Sequence, residues 1–92
     1  MMRANDKVTA YVLIKTEVGK ADTVASEILK IPGISKASVV AGEYDIIVEL
    51  VETNVKEIFN KVVKEIQGIS DIKETKTFIG TKMIAALPKG RL

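Results

Sequence analysis

The sequence predicts an α+β domain of ferredoxin-like type: a βαββαβ sandwich with a four-stranded antiparallel sheet and two helices on one face. Three observations predict it. β-rich and helical runs follow one another in that order, the chain repeats itself at an offset of 35 residues, and each helical run carries a single apolar stripe. At 92 residues, 47% hydrophobic and 28% charged, the chain is one small domain able to bury a core. A domain of this size hides only about two thirds of its unfolded surface, so part of its stability is expected from partner subunits.

The first run, Val8–Thr16, is rich in β-branched residues and reads as a strand. Gly19 then opens a helix in which Ala21, Val24, Ala25, Ile28 and Leu29 fall at i, i+3, i+4, i+7 and i+8, and Pro32-Gly33 ends it. Ser35–Ala41 and Tyr44–Val51 read as two strands joined by Gly42-Glu43, short enough for a hairpin turn. Thr53 or Asn54 can cap the second helix, whose stripe is Val55, Ile58, Phe59, Val62, Val63 and Ile66. Lys56, Glu57, Lys61, Lys64 and Glu65 take its wet side, Gly68 closes it, and Asp71–Ile79 is the last strand. In the internal repeat Ile31-Pro32-Gly33-Ile34-Ser35 aligns with Ile66-Gln67-Gly68-Ile69-Ser70, Val24 with Phe59, Ile28 with Val63 and Glu17 with Glu52. The reading divides the chain into an N-terminal arm (1–7), the sandwich (8–79) and a C-terminal tail (80–92).

Alternation assigns the faces of the sheet. If Val8, Ala10, Val12 and Ile14, with Ile46, Val48 and Leu50, meet the helices, then Tyr11, Leu13, Ile47 and Val51 lie on the helix-free face. The last strand is expected to add Thr75, Thr77 and Ile79 there. So many apolar groups on an open face point to an interface, and the expectation is a homodimer packed sheet to sheet through Tyr11, Leu13, Ile47, Val51 and Ile79.

Composition excludes much chemistry. With no Cys there are no disulfides, thiolate metal sites or cysteine nucleophiles, and with no His the commonest general base is gone. No metal or cofactor is expected, and no enzyme activity. Lys82, Lys89 and Arg91 follow Gly80 with no acid among them, so the formal charge of +2 belongs to the tail and the rest of the chain is slightly acidic. That argues against direct binding of nucleic acid, which needs a basic folded surface. No run is long and apolar enough for a membrane span and the first six residues lack an apolar signal core, so the expected location is cytoplasmic. Abundant Lys and Glu, Ile and Val over Leu, and scarce Asn and Gln lean towards a thermophilic source.

The run Val39-Val40-Ala41-Gly42-Glu43-Tyr44-Asp45-Ile46-Ile47-Val48 resembles the strand-turn-strand signature of the Lrp/AsnC ligand-binding domain, the RAM domain of the feast/famine transcription regulators. Pro32-Gly33-Ile34 resembles that family's turn between first helix and second strand, Thr75–Ile79 its final strand, and Lys82 through Leu87-Pro88 its tail, so the likeness runs from Val8 to Pro88. Family regulators carry an N-terminal helix-turn-helix, and Met1–Lys7 cannot supply one, so the chain resembles a stand-alone effector domain. The resemblance implies an amino-acid-responsive module whose dimers join into octamers or similar even-numbered rings, with the effector at the dimer–dimer contact, and full-length regulators as possible partners. Carried onto this sequence, Gly42 would let backbone approach the ligand, Asp45 would accept from its ammonium, Tyr44 would cover it, and Thr75 and Thr77 would donate to its carboxylate. Plainer roles stand beside these: Gly42 as a turn residue of positive φ, Asp45 as an acceptor of turn amides, Tyr44 as interface packing, the threonines as strand formers, and the basic tail as a segment that pairs with a neighbouring subunit or stays loose.

Two rivals share the fold. A dimeric α+β barrel enzyme also pairs sheets but draws its chemistry from polar groups inside the barrel. An ACT-like amino-acid-binding module would use the loop after the first strand, here Glu17-Val18-Gly19-Lys20.

Overall fold

In a computed structural model describing residues 6–87, the strands are β1 (Val8–Thr16), β2 (Ile34–Val39), β3 (Ile46–Glu52) and β4 (Ile72–Ile79). The helices are α1 (Ala21–Ile28) and α2 (Val55–Lys61), the latter continuing as a π-helical turn over Val62–Ile66. The sheet is antiparallel in the order β2-β3-β1-β4, with both helices on one face. This is the ferredoxin-like arrangement that the element order predicts. Met1–Asn5, Pro88, Lys89 and Arg91, for which the sequence also raises expectations, lie outside the described residues.

The core forms where the apolar alternation of two central strands meets the helix stripes. Ala10, Val12 and Ile14 of β1 and Ile46, Val48 and Leu50 of β3 are fully buried, and Val24, Ala25 and Ile28 of α1 and Ile58, Val62 and Ile66 close over them. The register sets Val12 opposite Val48 and Ile14 opposite Ile46, so these side chains share the helix face.

The same register corrects the assignment of β4. Thr75 faces Ile14, Thr77 faces Val12 and Ile79 faces Ala10, so all three lie on the helix face, and Ile79 packs against the core. Phe78, opposite Tyr11, and Lys76, opposite Leu13, take the helix-free face. Pairing direction decides which alternate residues of an edge strand point inward, and a slip by one residue exchanges the two sets.

The second helix departs from its predicted stripe. Ile58, Val62 and Ile66 are buried, but Val55, Phe59 and Val63 form a parallel row that stays exposed. The widened turn is closed by the Gln67 N–H donating to Val62 O at 2.8 Å, and Val62 and Ile66 both reach the sheet. Asn54 is the cap: its Oδ1 accepts from Glu57 N at 2.9 Å. Lys61 is half-buried and lies 3.9 Å from Glu52 and 3.3 Å from Glu65, so it ties the helix to the end of β3 and does not belong to the wet side.

The connection between β2 and β3 is longer than a two-residue hairpin. Val39 pairs with Ile46, and residues 40–45 between them are closed by the Val40 N–H donating to Asp45 O at 2.9 Å. Gly42 takes φ +153° here. Gly33 is the more constrained glycine. Its φ is +97°, its carbonyl accepts from Val51 N, and a Cβ would meet Glu52 Oε2 at 2.6 Å and Val51 O at 3.1 Å. A Cβ at Gly42 would meet nothing within 4 Å.

Gly33→Ala is therefore expected to cost about 2–4 kcal/mol, combining backbone strain with the clash. Gly42→Ala, with strain alone, should cost about 1 kcal/mol. Urea unfolding of both variants checks this, and equal losses would mean that close packing is not what selects glycine at position 33.

Candidate functional site

β1 ends at Thr16, where its backbone N–H needs a partner because the ladder to β4 shifts register between Lys15 and Thr16. Asp45 supplies it: Oδ2 accepts from Thr16 N at 2.8 Å and stands 3.5 Å from Thr16 Oγ1, while the Asp45 N–H donates to Ile14 O at 2.8 Å. An Asp three residues past a turn glycine thus fastens the β2–β3 connection to the end of the central strand. Ordinary turn chemistry accounts for this contact.

The clamp brings two loops together. The β1–α1 loop and the β2–β3 connection flank an open cleft of about 500 Å³ lined by Lys15, Thr16, Glu17, Val18, Gly19, Ala21, Asp22, Glu43, Asp45 and Lys73. The two stretches that sequence reasoning held as alternatives, Gly42–Asp45 and Glu17–Lys20, are therefore walls of one concavity. Carboxylates come from both loops and an amine from Lys73, so the lining offers acceptors for an ammonium and a donor for a carboxylate. Among the described residues no group of His, Cys, Asp or Glu could hold a metal ion.

The other predicted ligand residues do not converge on this cleft. The Tyr44 ring lies on the helix-free side, with Lys15 Nζ 5.5 Å and Lys76 Nζ 5.9 Å from its centroid and its hydroxyl 3.5 Å from Glu74 Oε2. The Lys76 ammonium is held above the ordinary lysine value of 10.5, first by hydrogen bonding to Tyr44, then by the charge of Tyr44. Desolvation opposes this slightly, and Glu74 and Glu43 add smaller contributions in the raising direction. Thr75 Oγ1 accepts from Gln67 Nε2 at 2.8 Å and lines a separate hollow of about 290 Å³ with Gln67, Ile72, Lys73 and Glu74. Thr77 lines neither hollow. Gly42 sits at the exposed tip of the turn, where its positive φ accounts for it within one chain.

Sequence reasoning missed Lys15, Asp22, Glu43 and Lys73 as lining residues. Lys73 carries no local signal, because only the pairing of Lys15 with Glu74 brings the start of β4 beside the end of β1. Glu43 was legible as the neighbour of Gly42, but nothing in the pattern said which way the turn folds.

Comparison with known proteins bears on this geometry. The profile of the Lrp/AsnC ligand binding domain matches residues 9–86. The HTH-type transcriptional regulator PF0250 of Pyrococcus furiosus is 34% identical over 74 residues, which are 77% of this chain and 49% of that protein. The chain spans about half the length of the curated relatives it matches. The hypothetical protein PHS023 from Pyrococcus horikoshii superposes with a TM-score of 0.76 at 33% identity, covering 83% of this chain and 92% of that one. The transcriptional regulator NMB0573 from Neisseria meningitidis, solved as a complex with L-Met, superposes with a TM-score of 0.77, covering 90% of this chain and 57% of that one. Its identity of 16% shows a shared fold.

Asp45→Ala should lower stability by about 1.5–3 kcal/mol, the range for a hydrogen bond to a charged group. Tyr44→Ala, which loses one long hydrogen bond and exposed contacts with Lys15 and Lys76, should cost less. Paired urea melts check the difference, and a silent Asp45→Ala would remove the clamp. For Lys76, a raised folded value means that its charge interactions are present below the unfolded value of 10.5 and fade as pH climbs through the folded one. Tyr44→Phe should bring the Lys76 midpoint down towards 10.5, read from the lysine side-chain resonances in an NMR titration.

Proposed function

This chain belongs to the Lrp/AsnC ligand-binding domain family, and from that premise we propose that it is a non-catalytic, amino-acid-responsive assembly module acting in transcription regulation. The observation that carries the reading is the single cleft formed by the β1–α1 loop and the β2–β3 connection, with acids and Lys73 on the same walls. A free amino acid presents one ammonium and one carboxylate at fixed separation. Glu17, Asp22 and Glu43 suit the first, and Lys73 suits the second. The L-Met bound by NMB0573, which has the same fold, supports an amino acid as the class of ligand.

The assembly proceeds from a homodimer packed through the helix-free face, where Tyr11, Leu13, Ile47 and Val51 are joined by Phe78 in the place first given to Ile79. Tyr11 and Phe78 are cross-strand neighbours, as are Leu13 and Ile47, so the apolar groups are contiguous across three strands. Dimers then join near the cleft, and an amino acid held there shifts the equilibrium between assembly states by its differential affinity for them. At 100 times Kd the shift is about 2.7 kcal/mol per site. Longer regulators of the same family are the natural partners through which such a shift would reach a promoter.

Native mass spectrometry with and without a pool of the twenty amino acids tests this. The expected result is an even-numbered assembly that retains amino acid at up to one per subunit, with Glu43→Gln weakening retention while leaving the dimer. A dimer that retains nothing at millimolar concentrations would overturn the sensor reading.

A further inference from the structure

β4 does not end the ordered path of the chain. The Gly80 N–H donates to Thr9 O at 2.7 Å, adding one bond to the ladder beyond Ile79, and residues 81–87 then continue without helix or strand. Their apolar side chains are nearly bare: Met83 is 78%, Ile84 83% and Leu87 85% exposed. On the helix-free face, by contrast, Tyr11 is 37%, Ile47 38% and Phe78 49% exposed, so the tail presents more apolar surface than these three together. The Cα radius of gyration is 14.8 Å, against roughly 12 Å for a compact domain of this length, as a segment standing off the globule produces.

The tail also has a direction. Thr9 and Tyr11 point to the helix-free face, and with Lys7 and Gly80 through Ile84 they line a concavity of about 430 Å³. The exposed tail is thus continuous with the apolar sheet face and forms a raised wall at its edge. Stable interfaces bury roughly 800 Å² on each partner, and Met83, Ile84 and Leu87 would add their nearly bare apolar surface to whatever the sheet face buries.

We infer that the tail is an arm that clasps a second copy of this chain: Met83, Ile84 and Leu87 of each protomer cover the other across the rim of the paired sheets. A two-fold axis through the sheet interface places the two arms symmetrically, so each copy both gives and receives one. The inference rests on the sheet-paired dimer proposed above and adds what holds that dimer closed.

Sedimentation equilibrium on the 92-residue chain, on a chain ending at Gly80, and on Met83→Asp/Ile84→Asp tests it, with far-UV circular dichroism confirming the fold. The dimer dissociation constant should rise at least tenfold in both altered chains, and amides of residues 81–87 should be protected from hydrogen exchange in the full-length dimer. An unchanged constant with an unprotected tail would overturn the arm and leave the sheet-paired dimer standing. Loss of larger assemblies with an unchanged dimer constant would overturn it too, by placing the tail between dimers. A full-length chain that stays monomeric would instead bring down the dimer reading on which the arm rests.

Discussion

The register of β1 is the constraint on which the rest depends. It is the only strand of the sheet paired with both β3 and β4, and its helix-facing residues Ala10, Val12, Ile14 and Thr16 are buried. Because side chains alternate with a period of two, fixing β1 against β3 and β4 fixes which residues of both neighbours look at the helices. Thr75, Thr77 and Ile79 are drawn inward by this, and Phe78 is turned outward. The burial of three consecutive inward residues of β1 resists any slip, since moving the strand by one position would place Tyr11 and Leu13 in the core and strand Val12 in water.

The end of β1 carries the same logic into the candidate site. A strand that stops pairing leaves backbone groups to satisfy, and Asp45 answers from the neighbouring connection with its side chain and its own N–H. The residue that closes the strand therefore also sets the shape of the cleft. On the proposed function, a ligand that drew on Asp45 would compete with Thr16 for the same carboxylate, next to the strand at the centre of the sheet.

A small domain that buries one face of its sheet leaves other apolar surface uncovered. Among the described residues, exposed apolar side chains gather on the helix-free sheet face, in the row Val55, Phe59 and Val63 on α2, and at the tail residues Met83, Ile84 and Leu87. The first and third adjoin one another around Tyr11 and Gly80, whereas the helix row lies on the opposite side of the layer. An even-numbered ring needs at least two distinct contacts per subunit, and the separation of these surfaces is compatible with that.

Much of the fold was legible because it rests on local signals: β-branched runs, helical spacing, Asn54 as a cap, and glycines at turns. Periodicity also grouped Tyr11 and Leu13 with Ile47 and Val51, and the burial of the alternate residues of β1 and β3 shows that this set is the outward one. Three things lay beyond it. The inward face of β4 depends on a register that weakly apolar alternation, with threonines at two inward positions, does not specify. The split of the α2 stripe depends on how the helix is rotated over the sheet, which turns Ile58, Val62 and Ile66 inward and leaves Val55, Phe59 and Val63 outside. The cleft depends on two loops and the start of β4, distant in sequence, meeting at the end of β1. Sequence by itself determined which segments are strands and helices, because those choices are made by residues a few positions apart. Tertiary structure alone decided which polar groups share a site, because hydrogen bonding across strands, and no local preference, sets their distances.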